Sequence, residues 1–123
     1  MEQREYNTHH DSIFIKQDDY YRKYLFSDIL WVESARSYCY INLKNDKRIV
    51  ITQSSSKIAE MLPGNIFIRI HRTFIVNKNY VDSYIGNMLY IGKQSFPISR
   101  QYKDDVLACF NFFTVSKTPF GKK

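Results

Sequence analysis

Short alternating segments, each followed by a polar turn, constrain the fold of this chain more than any other feature of its sequence. Apolar and polar residues alternate from Tyr38 to Leu43, which is the period of a β-strand with one buried face. The polar run 44–47 follows, and residues 48–52 return as the partner strand of a hairpin. The pattern therefore predicts a sheet whose buried face carries Cys39, Ile41 and Leu43.

Further segments rich in branched and aromatic residues have the length and composition of strands. They are residues 22–26, 29–34, 67–70, 74–76, 81–85 and 88–91. Gly86 and Asn87 join the last two, and a glycine in the first central position favours a type II′ turn. So many short strands in a small chain indicate antiparallel sheets connected by exposed loops.

Two helices are predicted between and after these strands. Serines 54–56 offer N-cap hydroxyls for a short helix that ends before Pro63 and Gly64, with a buried face of Ile58, Met61 and Leu62. Ser99 can cap a final helix, whose apolar stripe would consist of Tyr102, Val106, Cys109, Phe110 and Phe113. The predicted fold class is mostly β, an assembly of short-stranded antiparallel sheets with one short mid-chain helix and a C-terminal helix.

The length of 123 residues fits a single domain with polar ends. Residues 1–12 are polar and lack a period, so we interpret them as a linker or arm and assign no role to His9 and His10. The ordered domain is predicted to span residues 13–113. Residues 114–123, with Pro119, Gly121 and two terminal lysines, have the composition of a flexible tail.

The charge balance favours a polyanionic partner. Lysine and arginine outnumber acidic residues by 18 to 12, which gives a formal net charge of +6. Cys39 and Cys109 are far apart and form no CxxC pair, as is typical of a protein from the reducing cytoplasm. No stretch approaches the roughly 20 apolar residues of a membrane span. We therefore expect a cytoplasmic domain without membrane contact.

The sequence lacks the motifs that identify common classes of enzyme. There is no GxSxG nucleophile motif, no HExxH metal motif, no P-loop and no glycine-rich dinucleotide turn. His71 has no second histidine or cysteine at metal-ligand spacing, so a structural role is the favoured interpretation. We expect no enzymatic activity, no metal site and no cofactor.

Arginines stand at the ends of three predicted segments. Arg36 lies between two strands, Arg72 follows a strand, and Arg100 opens the last helix. Taken singly, a solvated surface arginine is the favoured interpretation of each. Loops that project from a rigid sheet can carry binding residues, so the three together point to an anionic ligand.

The start of the last helix is a candidate phosphate site. An arginine is unfavourable there for the helix dipole, so Arg100 indicates an external anion. Free N–H groups of Ser99, Arg100 and Gln101 could hold a phosphate, while the guanidinium reaches a guanine edge through two donors.

Three stretches of the sequence match one known pattern. Residues 67–77, Phe-Ile-Arg-Ile-His-Arg-Thr-Phe-Ile-Val-Asn, resemble the signature of LytTR-type DNA-binding domains. Residues 28–34 resemble the family strand that runs from Asp-Ile to Glu, and residues 96–100 resemble its Pro-Val-Ser-Arg element. The resemblance covers residues 13–110, nearly the whole predicted domain.

The resemblance implies an elongated assembly of β-sheets whose loops, rather than a helix, enter successive major grooves of double-stranded DNA. The base-reading positions of the family fall on the loop after the second predicted strand, on Arg72 and on Arg100. In that first loop, the contact could come from Arg36, Ser37 or Tyr38. Contacts to the DNA backbone would come from Lys78, Gln101 and Lys103. Motif positions that we interpret as structural are Glu33, His71 and Asn77.

The same resemblance implies the effector domain of a bacterial transcriptional regulator of a two-component system. Two copies would bind repeated half-sites, and a receiver or sensor domain would lie outside this chain. One alternative is a small β-barrel that binds single-stranded nucleic acid by stacking on Tyr20, Tyr21 and Tyr24. Another is a protein-interaction or sensor module, in which the basic loops would be incidental.

Overall fold

The computed structural model describes residues 10–115, so interpretations of residues 1–9 and 116–123 lie outside the described residues. The strands are β1 Ser12–Gln17, β2 Tyr20–Leu25, β3 Ile29–Ala35, β4 Tyr38–Leu43, β5 Arg48–Ile51, β6 Phe67–Arg69, β7 Phe74–Asn77, β8 Ser83–Ile85, β9 Met88–Ile91 and β10 Gln94–Pro97. The α-helices are α1 Ser55–Ala59 and α2 Lys103–Ala108. Short 3-10 turns cover Phe26–Asp28, Lys78–Tyr80 and Arg100–Tyr102, and Lys44–Asp46 forms a turn with Asn45 in the left-handed conformation (φ 63°, ψ 33°). The predicted mostly β fold class is confirmed.

A five-stranded sheet in the order β5-β4-β3-β7-β6 forms the centre of the fold, with β3 in the middle. A two-stranded sheet, β1-β2, and a three-stranded sheet, β10-β9-β8, lie on either side of it. All pairings are antiparallel. This arrangement suits the sequence, because antiparallel neighbours need only short turns between strands.

The two-residue hairpin turns share one backbone feature. Each has a positive φ at its first residue: Asp18 (54°), Arg36 (59°), Gly86 (62°) and Gly92 (59°). Such a φ at the first central position alone belongs to the type II′ turn, whose twist matches that of the flanking strands. The turn type predicted at Gly86 agrees with this geometry.

The middle of the central sheet, at β3 and β7, is covered on both faces. One face packs against β1, β2 and α1, in an N-terminal core that includes Ile13, Ile15, Val32, Ile41 and Ile75. The other packs against β8, β9, β10 and α2, in a C-terminal core that includes Ile70, Val76, Leu89, Phe96 and Val106. The predicted buried face of β4 is confirmed, since Cys39, Ile41 and Leu43 all lie in the N-terminal core. Burial raises the pKa of the Cys39 thiol.

Two strands were missing from the sequence prediction. β1 pairs with β2 from Ser12 to Gln17, but the turn after it contains no glycine or asparagine to mark a hairpin. β10 contains a single buried apolar side chain, Phe96, and ends in Pro97. Proline is tolerated there because β10 lies at the edge of its sheet.

Both helices are shorter than predicted, which moves two side chains out of the core. After α1, Met61 N–H bonds to Ile58 O and Leu62 N–H to Ala59 O, so the chain tightens to a three-residue turn and Met61 is 61% exposed. α2 ends at Ala108, and Phe113 is 91% exposed. None of the helices in residues 10–115 is long and apolar enough to cross a bilayer.

The end of α2 has a physical cause. Phenylalanine and asparagine are weak helix formers, and the chain beyond Ala108 gains aromatic contacts instead. The Phe112 ring lies 5.3 Å from the Tyr84 ring and 6.5 Å from the Phe110 ring. Phe110 also packs on the C-terminal core. Tyr102, Val106 and Phe110 of the predicted stripe therefore pack on the C-terminal core as predicted, and only Phe113 at its end points into solvent.

Candidate nucleic-acid interface

Three loops meet at one edge of the molecule, and each carries one of the three predicted arginines. The β3–β4 tip adjoins the β6–β7 loop, because Ser34 N–H bonds to Thr73 O at 2.8 Å. The segment after β10 adjoins the same loop, because Ser99 N–H bonds to Ile70 O at 3.0 Å. Arg36, Arg72 and Arg100 all lie within two residues of these contacts and are exposed. We call this surface the three-loop edge.

The β3–β4 tip is a two-residue turn in a strained conformation. Arg36 has a φ of 59°, a region that residues with a Cβ seldom adopt. Arg36, Ser37 and Tyr38 are all exposed, so each can contact a ligand. The Tyr38 ring packs edge-on against Tyr40 at 5.6 Å. The neighbouring Tyr38 phenol raises the pKa of Tyr40 above its usual value.

The backbone of the Arg72 loop is fixed by hydrogen bonds from a half-buried arginine, Arg69. Arg69 at the end of β6 donates to two backbone carbonyls, His71 O at 3.1 Å and Arg72 O at 2.9 Å. Its other terminal nitrogen donates to Ser55 Oγ at 2.8 Å. Ser55 Oγ bonds in turn to Ser34 Oγ, which lies 3.2 Å from Arg72 O. Side chains of β3, β6 and α1 therefore fix the backbone on which Arg72 stands.

His71 acts within its own loop. Its Nδ1 accepts the N–H of Thr73 at 3.1 Å, and its ring lies 5.8 Å from the Phe74 ring. An accepting Nδ1 means that any ring proton of the neutral imidazole is on Nε2. The interpretation of His71 as a ring that fixes the loop of Arg72 agrees with this geometry.

The start of the last helix differs from the predicted phosphate site. The N–H of Ser99 is already bonded to Ile70 O, so it is not free for a phosphate. The Ser99 hydroxyl makes no cap bond, and it is buried without a partner in residues 10–115. Ser99 does stand at the N-cap position, where its carbonyl accepts the N–H of Tyr102 at 3.0 Å, but the predicted cap by its hydroxyl was wrong. Arg100 and Gln101 remain exposed at the three-loop edge.

The two predicted backbone-contacting lysines are not at the centre of this edge. Lys78 follows β7, and the four residues of that strand, about 13 Å, separate it from the loop of Arg72. Lys103 Nζ donates to Asn87 Oδ1 at 2.6 Å, so it is directed towards the β8–β9 turn. The geometry groups Arg36, Arg72, Arg100 and Gln101, with both lysines at the periphery.

Asn77 and Glu33, the other two residues interpreted as structural, both contact other parts of the protein. Asn77 is 1% exposed, and its amide donates to Phe26 O at 3.3 Å and Ile29 O at 2.9 Å. Its Oδ1 accepts Asn79 N–H at 2.9 Å. Glu33 lies 3.5 Å from the Arg48 guanidinium, a partly exposed ion pair of small energetic weight.

Sequence reasoning assigned no role to Arg69 or Ser34, and it considered Ser55 only as a possible N-cap residue. A signal was present for Arg69, because it is a charged residue inside an apolar strand and belongs to the motif of residues 67–77. Ser55 is buried although its neighbours in the serine run are exposed. The sequence does not show that these residues meet, since they come from separate elements.

The tyrosines of the single-strand alternative do not form one platform. Tyr20 and Tyr24 point to the same side of β2, and Tyr21 points to the other. Tyr24 packs partly on the N-terminal core and donates to Gln17 Oε1 at 2.8 Å. In residues 10–115, no three histidine, cysteine or acidic side chains come together as metal ligands would.

Comparison with known proteins identifies the fold and the family. The model of the LytTr DNA-binding domain family matches residues 19–111. A solved structure, the LytTr DNA-binding domain of a response regulator from Bacillus cereus, superposes with a TM-score of 0.70 at 23% identity, covering 85% of this chain and 100% of that one. No curated protein sequence matches the chain. Because the family model spans most of its length, the chain belongs to the LytTR DNA-binding domain family.

Proposed function

We propose that the three-loop edge binds double-stranded DNA in a sequence-dependent way, as the effector surface of a transcriptional regulator. The observation that carries the proposal is the backbone contact of Thr73 with Ser34 and of Ile70 with Ser99. These bonds place three exposed arginines on neighbouring loops, so that one duplex can meet all of them. Arginine supplies two parallel donors to guanine, and these loops can carry them into a major groove without a recognition helix.

The roles of the arginines differ from those of the peripheral lysines in this proposal. Arg72 and Arg100 contact base edges, with Arg36, Ser37 or Tyr38 as the third reader. Gln101, Lys78 and Lys103 contact phosphates, which position the protein without specifying sequence. Lys103 would leave Asn87, or use another of its three donors, to reach a phosphate.

The test begins with selection of bound duplexes from a random pool, which supplies an operator. We expect Arg72→Ala and Arg100→Ala each to cost about 1–3 kcal/mol on that operator and to relax base preference. Lys103→Ala should weaken operator and random duplex alike and lower the slope of log affinity against log salt by about 1. Lys47→Ala is the control, because Lys47 is exposed beyond the opposite end of β4. If Arg72→Ala, Arg100→Ala and Lys103→Ala each lost the same affinity for operator as for random DNA, the division of roles would be refuted.

Two copies on repeated half-sites are the proposed binding state, with a receiver or sensor domain elsewhere in the protein. Titration of a duplex carrying one or two half-sites checks the stoichiometry, since a second protein should bind only the longer site. A competition between duplex and single strands of the same sequence checks the ligand. If single strands win, the groove-reading proposal fails.

A further inference from the structure

The hairpin of β1 and β2 has one face on the core and one face in solvent. Ser12 pairs with Leu25, Phe14 with Lys23, and Lys16 with Tyr21. Residues opposite each other in an antiparallel pair point to the same side. These six side chains therefore share one face, which we call the outer hairpin face. The other face carries Ile13, Ile15 and Tyr24, which pack on the N-terminal core.

Large apolar side chains are exposed on the outer hairpin face. Phe14 is 61% exposed, Tyr21 is 63% exposed and Leu25 is 38% exposed. Phe14 also borders a groove of about 380 Å³ between β1, β5 and α1, to which the exposed Val50 and Met61 contribute. Single exposed apolar residues are ordinary, but a group of them on one face marks an interaction surface.

The charge on this face has one sign. The charged residues of the face are Lys16 on β1 and Lys23 on β2. None of its six residues is acidic. The ammonium group of Lys16 lies 5.9 Å from the centre of the Tyr21 ring. The face thus interleaves apolar side chains with two positive charges, since Lys23 lies opposite Phe14 in the middle row and Lys16 lies opposite Tyr21.

We propose that the outer hairpin face docks an acidic amphipathic helix of a partner protein. The apolar side chains of the partner helix would cover Phe14, Tyr21 and Leu25. The carboxylates of the same helix would pair with Lys16 and Lys23. A six-residue strand is about 20 Å long, which matches about 13 residues of α-helix. One such helix therefore spans the face from end to end.

Charge complementarity selects this occupant over a second copy of the chain. A symmetric dimer presents the same patch on both subunits, so it would bring the lysines of one hairpin towards those of the other. Like charges at an interface oppose association. An acidic amphipathic helix satisfies the lysines and the apolar side chains together.

The probe is a labelled 14-residue peptide with leucine on one helical face and glutamate on the other, titrated with the full chain of 123 residues. We expect saturable binding by fluorescence anisotropy that weakens as salt increases. The double variant Lys16→Glu/Lys23→Glu and the variant Phe14→Ser should each weaken it at least about tenfold. The matched control Lys47→Glu/Lys93→Glu removes the same charge elsewhere and should leave the affinity unchanged.

Several outcomes overturn the proposal. One is equal loss in the control variant, which would mean attraction to net charge alone. A second is equally tight binding of a control peptide in which lysine replaces glutamate. A third is self-association of the protein in sedimentation velocity that depends on Phe14. A fourth is tighter binding of anionic vesicles or single-stranded DNA than of the peptide. Phe14→Ser should shift the thermal midpoint by no more than about 3 °C, because the ring lies mostly in solvent. Operator affinity of the uncharged variant Phe14→Ser should stay unchanged, so this proposal and the DNA proposal fail separately.

Discussion

The loop of Arg72 and the tip of Arg36 lie side by side, but they are held in different ways. Side chains of Arg69, Ser55 and Ser34 fix the first from three separate elements. The second is closed by the pairing of β3 with β4 and has a positive φ at its first residue. One loop is braced by tertiary hydrogen bonds, and the other depends on its own strand pair.

This difference bears on how each loop would meet DNA. A braced backbone loses little freedom on binding, so Arg72 can present its guanidinium at low entropic cost. The Arg36 tip carries strain of about 1–2 kcal/mol, because an L-residue is held in the left-handed region. We therefore expect the Arg72 loop to set base preference and the Arg36 tip to adapt its contact.

The largest expected effect comes from Arg69→Leu. This change leaves two loop carbonyls and a buried serine hydroxyl without their charged donor. We expect about 2–3 kcal/mol less stability in chemical denaturation, and at least tenfold weaker operator binding although Arg69 is not among the proposed DNA contacts. Unchanged operator affinity in the folded variant would show that the brace has no functional consequence.

A smaller effect is expected from Ser55→Ala. It removes the hydroxyl that links Arg69 to Ser34, and we expect a loss of about 1 kcal/mol in the free energy of unfolding. Ser56→Ala is the matched control, because Ser56 is exposed on the same helix, and it should stay within about 0.5 kcal/mol. Equal destabilisation by the two variants would contradict a specific role for Ser55.

The smallest expected effect comes from Arg36→Gly, which distinguishes the contribution of the backbone conformation at the tip from that of the side chain. Arg36→Gly should stabilise the fold by about 0.5 kcal/mol, because glycine adopts a φ of 59° without strain but has more entropy to lose. Arg36→Ala keeps the strain and should not stabilise. Both variants lose the guanidinium, so operator affinity should fall in both.

Local patterns predicted most of the strands but not the contacts between elements. Alternation located β4 and its buried face, since side-chain direction in a strand depends only on position. The positions of Arg72 and Arg100 at segment ends were also visible. In contrast, the bond of Ser99 N–H to Ile70 O and the bracing by Arg69 join residues that are far apart in sequence or lie in different elements. The packing of Phe110 and Phe112 likewise depends on where Tyr84 lies.

Strand β7 has a consequence for how the molecule assembles. Its adjacent residues Ile75 and Val76 belong to opposite cores, so neither core can be completed before β7 joins β3. That pairing links Trp31 to Val76 and must close a long loop first, which is a slow step on the folding pathway. Both halves of the domain should then melt in a single cooperative transition, with indole fluorescence and far-ultraviolet circular dichroism reporting the same midpoint.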